Sequence, residues 1–305
     1  MSTSTLVQVD SERSVGWWGR AIDYVELSKP RILMMVLITV ALAGLVATWG
    51  QPDVSRLLHT ILGTAFVAAS ASILNQWLER DTDAQMRRTE NRPLPSGRLT
   101  ATETFVIGLV TVLFGLAYLI NLAGSGPTLW AGVTWLLYVG VYTPLKRRTW
   151  LNTLIGAVPG ALPVLIGWTG AGGALDTRAA CLFLLVFLWQ FPHFMAIAWL
   201  YRHQYAAAGM QMLTVVDPTG RRPGNQAIIA AFSVLVVSFV PAALVIDISW
   251  VYLAGSAMLG IGQIICAWQF AHYRDDAYAR KLLRASLLYL PAQLVLITLL
   301  NLAVI

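Results

Sequence analysis

Nine stretches of this chain stay apolar for roughly the thickness of a bilayer: 32–49, 58–78, 103–122, 128–143, 152–169, 179–200, 226–246, 250–271 and 283–303. A helix needs about 20 mainly apolar residues to cross the hydrocarbon core, and a helix satisfies its own backbone there. The pattern therefore predicts an all-α polytopic membrane protein, a bundle of nine transmembrane helices around a central cavity. No segment between the stretches is long enough for a second fold. The expected organisation is a polar N-terminal segment, 1–25, followed by a single domain over 26–305.

Composition agrees with this pattern. Apolar residues make up 57% of the chain and charged residues only 12%, where soluble domains carry roughly 25% charged residues. The formal net charge of +6 is not spread as a nucleic-acid surface would require. With the N-terminus in the cytoplasm, 19 of the 21 basic residues fall on the inner face, and only Arg56 and Arg178 lie opposite. That is the positive-inside distribution. It implies a lipid bilayer as the surroundings and no nucleic acid as a partner.

The first 25 residues lack the apolar core of a secretory signal. Asp10, Glu12, Asp23 and Glu26 argue against a mitochondrial transit peptide and favour a bacterial cytoplasmic membrane over the mitochondrial inner membrane. Cys181 and Cys266 both fall inside apolar stretches, where thiols behave as small apolar groups.

Loops on the outer face are short, including a minimal turn near Asp247–Ser249. Two inner loops, about 80–100 and 201–225, are longer, basic and rich in turn residues. Loops of that size in a compact bundle are usually functional. The end of the second stretch carries the strongest chemical signal. Asn75, Glu79, Asp83 and Arg87 recur every four residues, and each step of four on a helix advances about 400°, so they form one stripe. An amide and two carboxylates one turn apart offer only oxygen ligands, which suit Mg²⁺ completed by substrate phosphates. Arginines downstream offer forked donors to the same phosphates. The alternative is a solvated helix end with ordinary i,i+4 pairs. Asn75 weighs against it, because a polar group deep in an apolar run is costly.

Two further clusters follow. Tyr142-Thr-Pro-Leu-Lys146-Arg147-Arg148 precedes Asn152 and a helix interrupted by Gly156, Pro159, Gly160, Pro163 and Gly167. Its basic residues are either topology charges or phosphate ligands, and broken membrane helices commonly line a cavity. Within the sixth stretch, Trp189-Gln190-Phe191-Pro192-His193-Phe194 sets a histidine beside a helix-disturbing proline, and Tyr205 lies beyond. From the residues alone, His193 is as readily a packing residue as a functional one.

Taken together, the run from Asn75 to Leu94, with Glu79, Asp83, Met86, Arg88-Thr89 and Arg92-Pro93, resembles the first diphosphate motif of UbiA-type intramembrane prenyltransferases. Glu79, Met86 and the Pro192-His193-Phe194 element are similar to the haem O synthase branch of that family, as are the Tyr142–Thr153 motif and Tyr205-x-x-Ala208-Gly209-x-x-Met212. The resemblance covers about 25–225 by motif and the last three helices by hydropathy.

It implies transfer of farnesyl from farnesyl diphosphate to a vinyl group of haem B with addition of water, giving haem O for terminal oxidase assembly. It also implies that Asn75, Glu79 and Asp83 bind Mg²⁺–diphosphate, and that Arg88, Arg92, Lys146 and Arg147 neutralise its charge. Arg87, Tyr142, Asn152, Gln190 and Tyr205 join the expected substrate contacts, and His193 the expected catalytic set. A haem A synthase or an oxidase-assembly factor is an expected partner on the same ground. The second acidic cluster of many relatives is absent here: His203 and Gln204 occupy the region and the nearest acid is Asp217. Two other readings remain, a prenyltransferase with a quinone-type aromatic acceptor and a transporter.

Overall fold

The computed structural model of the chain describes residues 16–243 and 250–302, and among these every regular element is helical. The turn expected near 247–249 and residues 303–305 lie outside the described residues.

α1 (Trp17–Leu27) spans the end of the N-terminal segment expected over 1–25, of which 1–15 lie outside the described residues. Trp17, Trp18, Ile22 and Val25 are exposed, while Asp23 and Leu27 are buried. Apolar groups thus line one side of a short helix, as in helices that lie along a membrane surface. The buried side is anchored by charge: Arg98 bonds Asp23 and Glu26, and Glu103 takes Arg20 and Tyr24.

α2 (Pro30–Ala47) starts on a proline, whose missing N–H costs nothing at a helix start. α3 (Val54–Asp83) is capped by Asp53, which accepts the Arg56 N–H at 3.1 Å. Its 30 residues span about 45 Å, long enough to cross the bilayer and carry its last turns beyond the hydrocarbon core. α4 (Ala101–Leu122) is capped by Thr100 and packs along α3.

α5 (Ser125–Trp135) continues through a π-helical stretch (Leu136–Tyr142) into α6 (Thr143–Leu145). The cause lies in Pro144, which can donate no N–H and would clash with the preceding turn of a regular α-helix. α7 (Asn152–Ala161) and α8 (Pro163–Gly170) are the interrupted fifth stretch, broken at Leu162 just before Pro163.

α9 (Thr177–Leu200) leads into two short helices, α10 (Arg202–Ala207) and α11 (Leu213–Val216). α12 (Arg221–Ala243), α13 (Trp250–Tyr273) and α14 (Asp276–Leu302) complete the chain. α12 packs on α13 and α9, and α14 on α13 and α9, so these four form one sub-bundle.

Eight membrane-length apolar helices are present among the described residues, counting α7 and α8 together. The remaining stretch, expected at 128–143, is the one divided among α5, the π-helical stretch and α6. Many apolar side chains on the outside are exposed, Phe114, Ile229, Phe232 and Leu288 among them. That surface is what a membrane protein offers to lipid.

Close helix contacts rest on glycines at a few places. A Cβ on Gly167 of α8 would overlap the Val40 carbonyl of α2, and that backbone has nowhere to go. Gly167→Ala is expected to destabilise by about 1–3 kcal/mol, as overpacking does, and to lower the thermal midpoint in detergent. Gly262→Ala, at a site with nothing within 4 Å, should leave it unchanged or raised.

Candidate active site

The stripe on α3 ends sooner than its spacing implies. Thr89 turns the chain back by donating its hydroxyl to the Asp83 carbonyl at 2.8 Å, and Met86 buries itself against Tyr205, Met210 and Met212. The helix therefore stops at Asp83, and Arg87, expected as the fourth member, leaves the stripe and is exposed. Asn75, Glu79 and Asp83 do share the buried C-terminal end of α3.

Around them the structure gathers cations from three separate segments. Lys29 Nζ donates to Asn75 Oδ1 at 2.6 Å, Lys146 Nζ lies 2.7 Å from Glu79 Oε1, and Arg92 Nη1 lies 2.6 Å from Asp83 Oδ2. Asn75 Nδ2 donates to Thr143 Oγ1 at 3.0 Å, and Thr143 passes its own proton to the Tyr138 carbonyl at 2.8 Å. The π-helical stretch is thus tied directly to the stripe. It sets Lys146 over the Tyr142 ring, 4.7 Å from its centre, with Tyr138 5.4 Å from Tyr142. Gly156 makes room, since a Cβ there would strike the Tyr142 ring.

The charges act on one another. Burial lowers the Lys29 ammonium to about 7, Arg92 and Lys146 push it the same way, and Glu79 and Asp83 resist. Burial would lower Lys146 too, but Glu79 and Tyr142 outweigh it and hold it above the ordinary lysine value.

Neither Lys29 nor Thr143 nor Tyr138 is singled out by sequence reasoning. The available signal for Lys29 was its place directly before Pro30 at the entry of α2. It sits there at φ +51°, a conformation uncommon for a residue with a side chain.

Other expected contacts divide. Arg88 stacks on Tyr201, 4.6 Å from its centre, and reaches the Tyr205 hydroxyl at 3.4 Å. Gln204 Oε1 accepts the Arg88 backbone N–H at 3.3 Å. These contacts clasp the two inner loops together. Asn152 serves the same closure, donating to the carbonyls of Thr149 at 2.6 Å and Gln211 at 2.9 Å. Gln190 donates to the Ala157 carbonyl at 2.9 Å and fits only because Gly160 has no side chain. It joins α9 to α7. Arg147 is exposed. His193 is turned toward α14, with Nδ1 3.0 Å from Ser286 Oγ.

The donor set can be tested for a hard divalent cation. Glu79 and Asp83 supply carboxylate oxygens, and Asp83 Oδ1 is buried without a hydrogen-bond partner. Asn75 Oδ1 already accepts from Lys29 but keeps a second lone pair. Oxygen-only donors with an unmatched buried carboxylate oxygen fit Mg²⁺. Among the described residues, no group of three or more His, Cys, Asp or Glu side chains gathers as a metal cluster.

The fold and site together are those of an all-helical membrane bundle with buried carboxylates and cations gathered at one end of α3. Residues 36–290 match the UbiA prenyltransferase family, and the chain belongs to it.

Among curated proteins, the chain is 42% identical over 284 residues to a protoheme IX farnesyltransferase of Solibacter usitatus, covering 88% of this chain and 95% of that one. It is 40% identical over 287 residues to a protein of that description from Rhodopirellula baltica, covering 90% and 98%. A mitochondrial protoheme IX farnesyltransferase of Arabidopsis thaliana is 38% identical over 88% of this chain and 62% of its own. In fold, the chain resembles a digeranylgeranylglyceryl phosphate synthase structure with a TM-score of 0.78 at 17% identity, covering 93% and 99%. It also resembles a UbiA homologue from Archaeoglobus fulgidus bound to GPP and Mg²⁺, with a TM-score of 0.62 at 15% identity, covering 90% and 99%.

Breaking one buried pair tests the cluster. The Lys146 and Glu79 side chains are only 15% and 9% exposed. Lys146→Met should therefore destabilise by about 3–5 kcal/mol by stranding the carboxylate. Lys146→Met with Glu79→Gln should melt above the single variant in detergent.

Proposed function

We propose that this chain transfers the farnesyl group of farnesyl diphosphate to a vinyl group of haem B, adds water, and so makes haem O. The observation that carries the reading is the buried cluster of Lys29, Asn75, Glu79, Asp83, Arg92 and Lys146, in a chain about 40% identical to proteins named protoheme IX farnesyltransferase. Asn75, Glu79 and Asp83 would hold Mg²⁺, which when bound supplies a Lewis acid for the diphosphate. Arg92 and Lys146 bring positive charge to the same place, joined by Lys29 when its ammonium, lowered to about 7, is protonated, and this charge stabilises the negative charge that grows on the leaving diphosphate.

As the allylic C–O bond breaks, the farnesyl carbon becomes cationic, and the terminal carbon of the vinyl group attacks it. The cation then rests on the carbon next to the porphyrin ring, where water adds and loses a proton. The first cation must be kept from water until the C–C bond has formed, which an apolar bundle favours. The Tyr138 and Tyr142 rings offer π-faces beside the leaving group, and such faces attract cations.

The same reading places nine spans in a bacterial cytoplasmic membrane, with the N-terminus and the charged cluster inside. The mitochondrial inner membrane is the alternative location. It treats 26–305 as one catalytic domain, and a haem A synthase or oxidase-assembly factor as a consumer of the product.

Membranes carrying the chain, given haem B, farnesyl diphosphate and Mg²⁺, should yield haem O by mass spectrometry. Absence of haem O would sink the proposal, and prenylated 4-hydroxybenzoate from a parallel incubation would point to a quinone-type acceptor instead. Asp83→Ala should lower turnover by roughly 10²-fold or more while the protein still inserts. Near-normal turnover would refute the role given to Asp83.

A further inference from the structure

His193 shares no hydrogen bond with the charged cluster among the described residues, yet it is held on several sides. Its Nδ1 is 3.0 Å from Ser286 Oγ on α14. Its ring stacks on Trp189, with centres 5.1 Å apart and planes 26° apart, and Phe194 flanks it at 5.8 Å. Trp189 is itself fixed, donating its indole N–H to the Ser286 carbonyl at 2.7 Å. One residue, Ser286, therefore anchors both aromatic partners, from a position with no exposed surface.

The proton count at Ser286 decides which imidazole nitrogen is basic. A serine hydroxyl has one proton to give. Ser286 Oγ lies 2.8 Å from the Leu283 carbonyl, which can only accept. With its proton directed there, Oγ meets His193 as an acceptor, so the hydrogen bond at Nδ1 is donated by the imidazole. A neutral ring with its proton on Nδ1 carries its lone pair on Nε2. Nε2 makes no hydrogen bond among the described residues.

We propose that Ser286 is a positioning residue. It fixes His193 in the Nδ1–H tautomer and so leaves the Nε2 lone pair free to take the proton that water loses as it adds to the haem-side cation. A partner on the far nitrogen of a working imidazole commonly sets its tautomer and orientation in this way. Ser286 lies in the last three helices, outside every motif noted in the sequence. Its link to turnover rests on the farnesyl-transfer reading above; the tautomer does not.

The chain has four histidines, His59, His193, His203 and His272, so histidine-selective ¹⁵N labelling gives a short spectrum. Solid-state NMR in lipid, with His193→Gln to assign the signal, should show the His193 proton on Nδ1. Ser286→Ala should move it to Nε2 or to a mixture, and Ser286→Thr, which keeps the hydroxyl, should restore it. In turnover, Ser286→Ala should lower kcat by about 10–100-fold, with KM for farnesyl diphosphate unchanged and rescue by threonine.

A wild-type His193 protonated on Nε2 overturns the proposal whether or not any variant folds. An unchanged tautomer in Ser286→Ala overturns it equally. Should the wild type show the Nδ1–H form yet make no haem O, the tautomer stands and the proposed reaction fails.

Discussion

Two carboxylates one turn apart on a membrane helix repel each other, and each is costly away from water unless matched by positive charge. Glu79 and Asp83 impose that condition at the inner end of α3, and much of the surrounding architecture meets it. Lys146 arrives at the end of the α5–α6 helix, Arg92 from the loop that folds back after Asp83, and Lys29 from the entry of α2. Each cation comes from a different part of the chain, so the cluster forms only when these segments are assembled. Lys146 and Arg92 balance the two carboxylates, and Lys29, its ammonium lowered to about 7, adds positive charge whenever it is protonated.

The devices that deliver those cations are local departures from regular helix. Pro144 forces the π-helical stretch, and that stretch turns Thr143 onto Asn75 and Lys146 onto Glu79. Lys29 adopts a left-handed backbone immediately before Pro30 and gains its bond to Asn75 there. Strain of this sort costs of order 1–3 kcal/mol and persists where the surroundings hold it. Arg88 with Tyr201 and Tyr205, Gln204 with the Arg88 backbone, and Asn152 with Gln211 join the loops that follow α3, α6 and α9.

Much of this was legible in the sequence. Hydropathy located the eight membrane-length helices among the described residues, and the run of glycines and prolines marked α7–α8 as interrupted, because apolar length and proline act locally. The four-residue spacing brought Asn75, Glu79 and Asp83 together, because they share one helix. It failed at Arg87, since the turn that ends α3 is made by Thr89 and by the burial of Met86, neither of which a spacing reveals. Lys29 was visible only as a topology charge, 46 positions from Asn75. Asn152 and Gln190 carry polar groups within the motifs, yet their donors are used on backbone carbonyls of neighbouring segments. Polar identity told where hydrogen bonds were needed, not to whom they would go.

The central claim is that the charged cluster at the end of α3 is the diphosphate site. A calorimetric titration of the purified protein with a non-reactive thiodiphosphate analogue of farnesyl diphosphate, with and without Mg²⁺, tests it most directly. The account predicts tight, metal-dependent binding that is lost when Glu79 and Asp83 are both replaced by their amides. Binding indifferent to Mg²⁺ and undisturbed by that double substitution would contradict it.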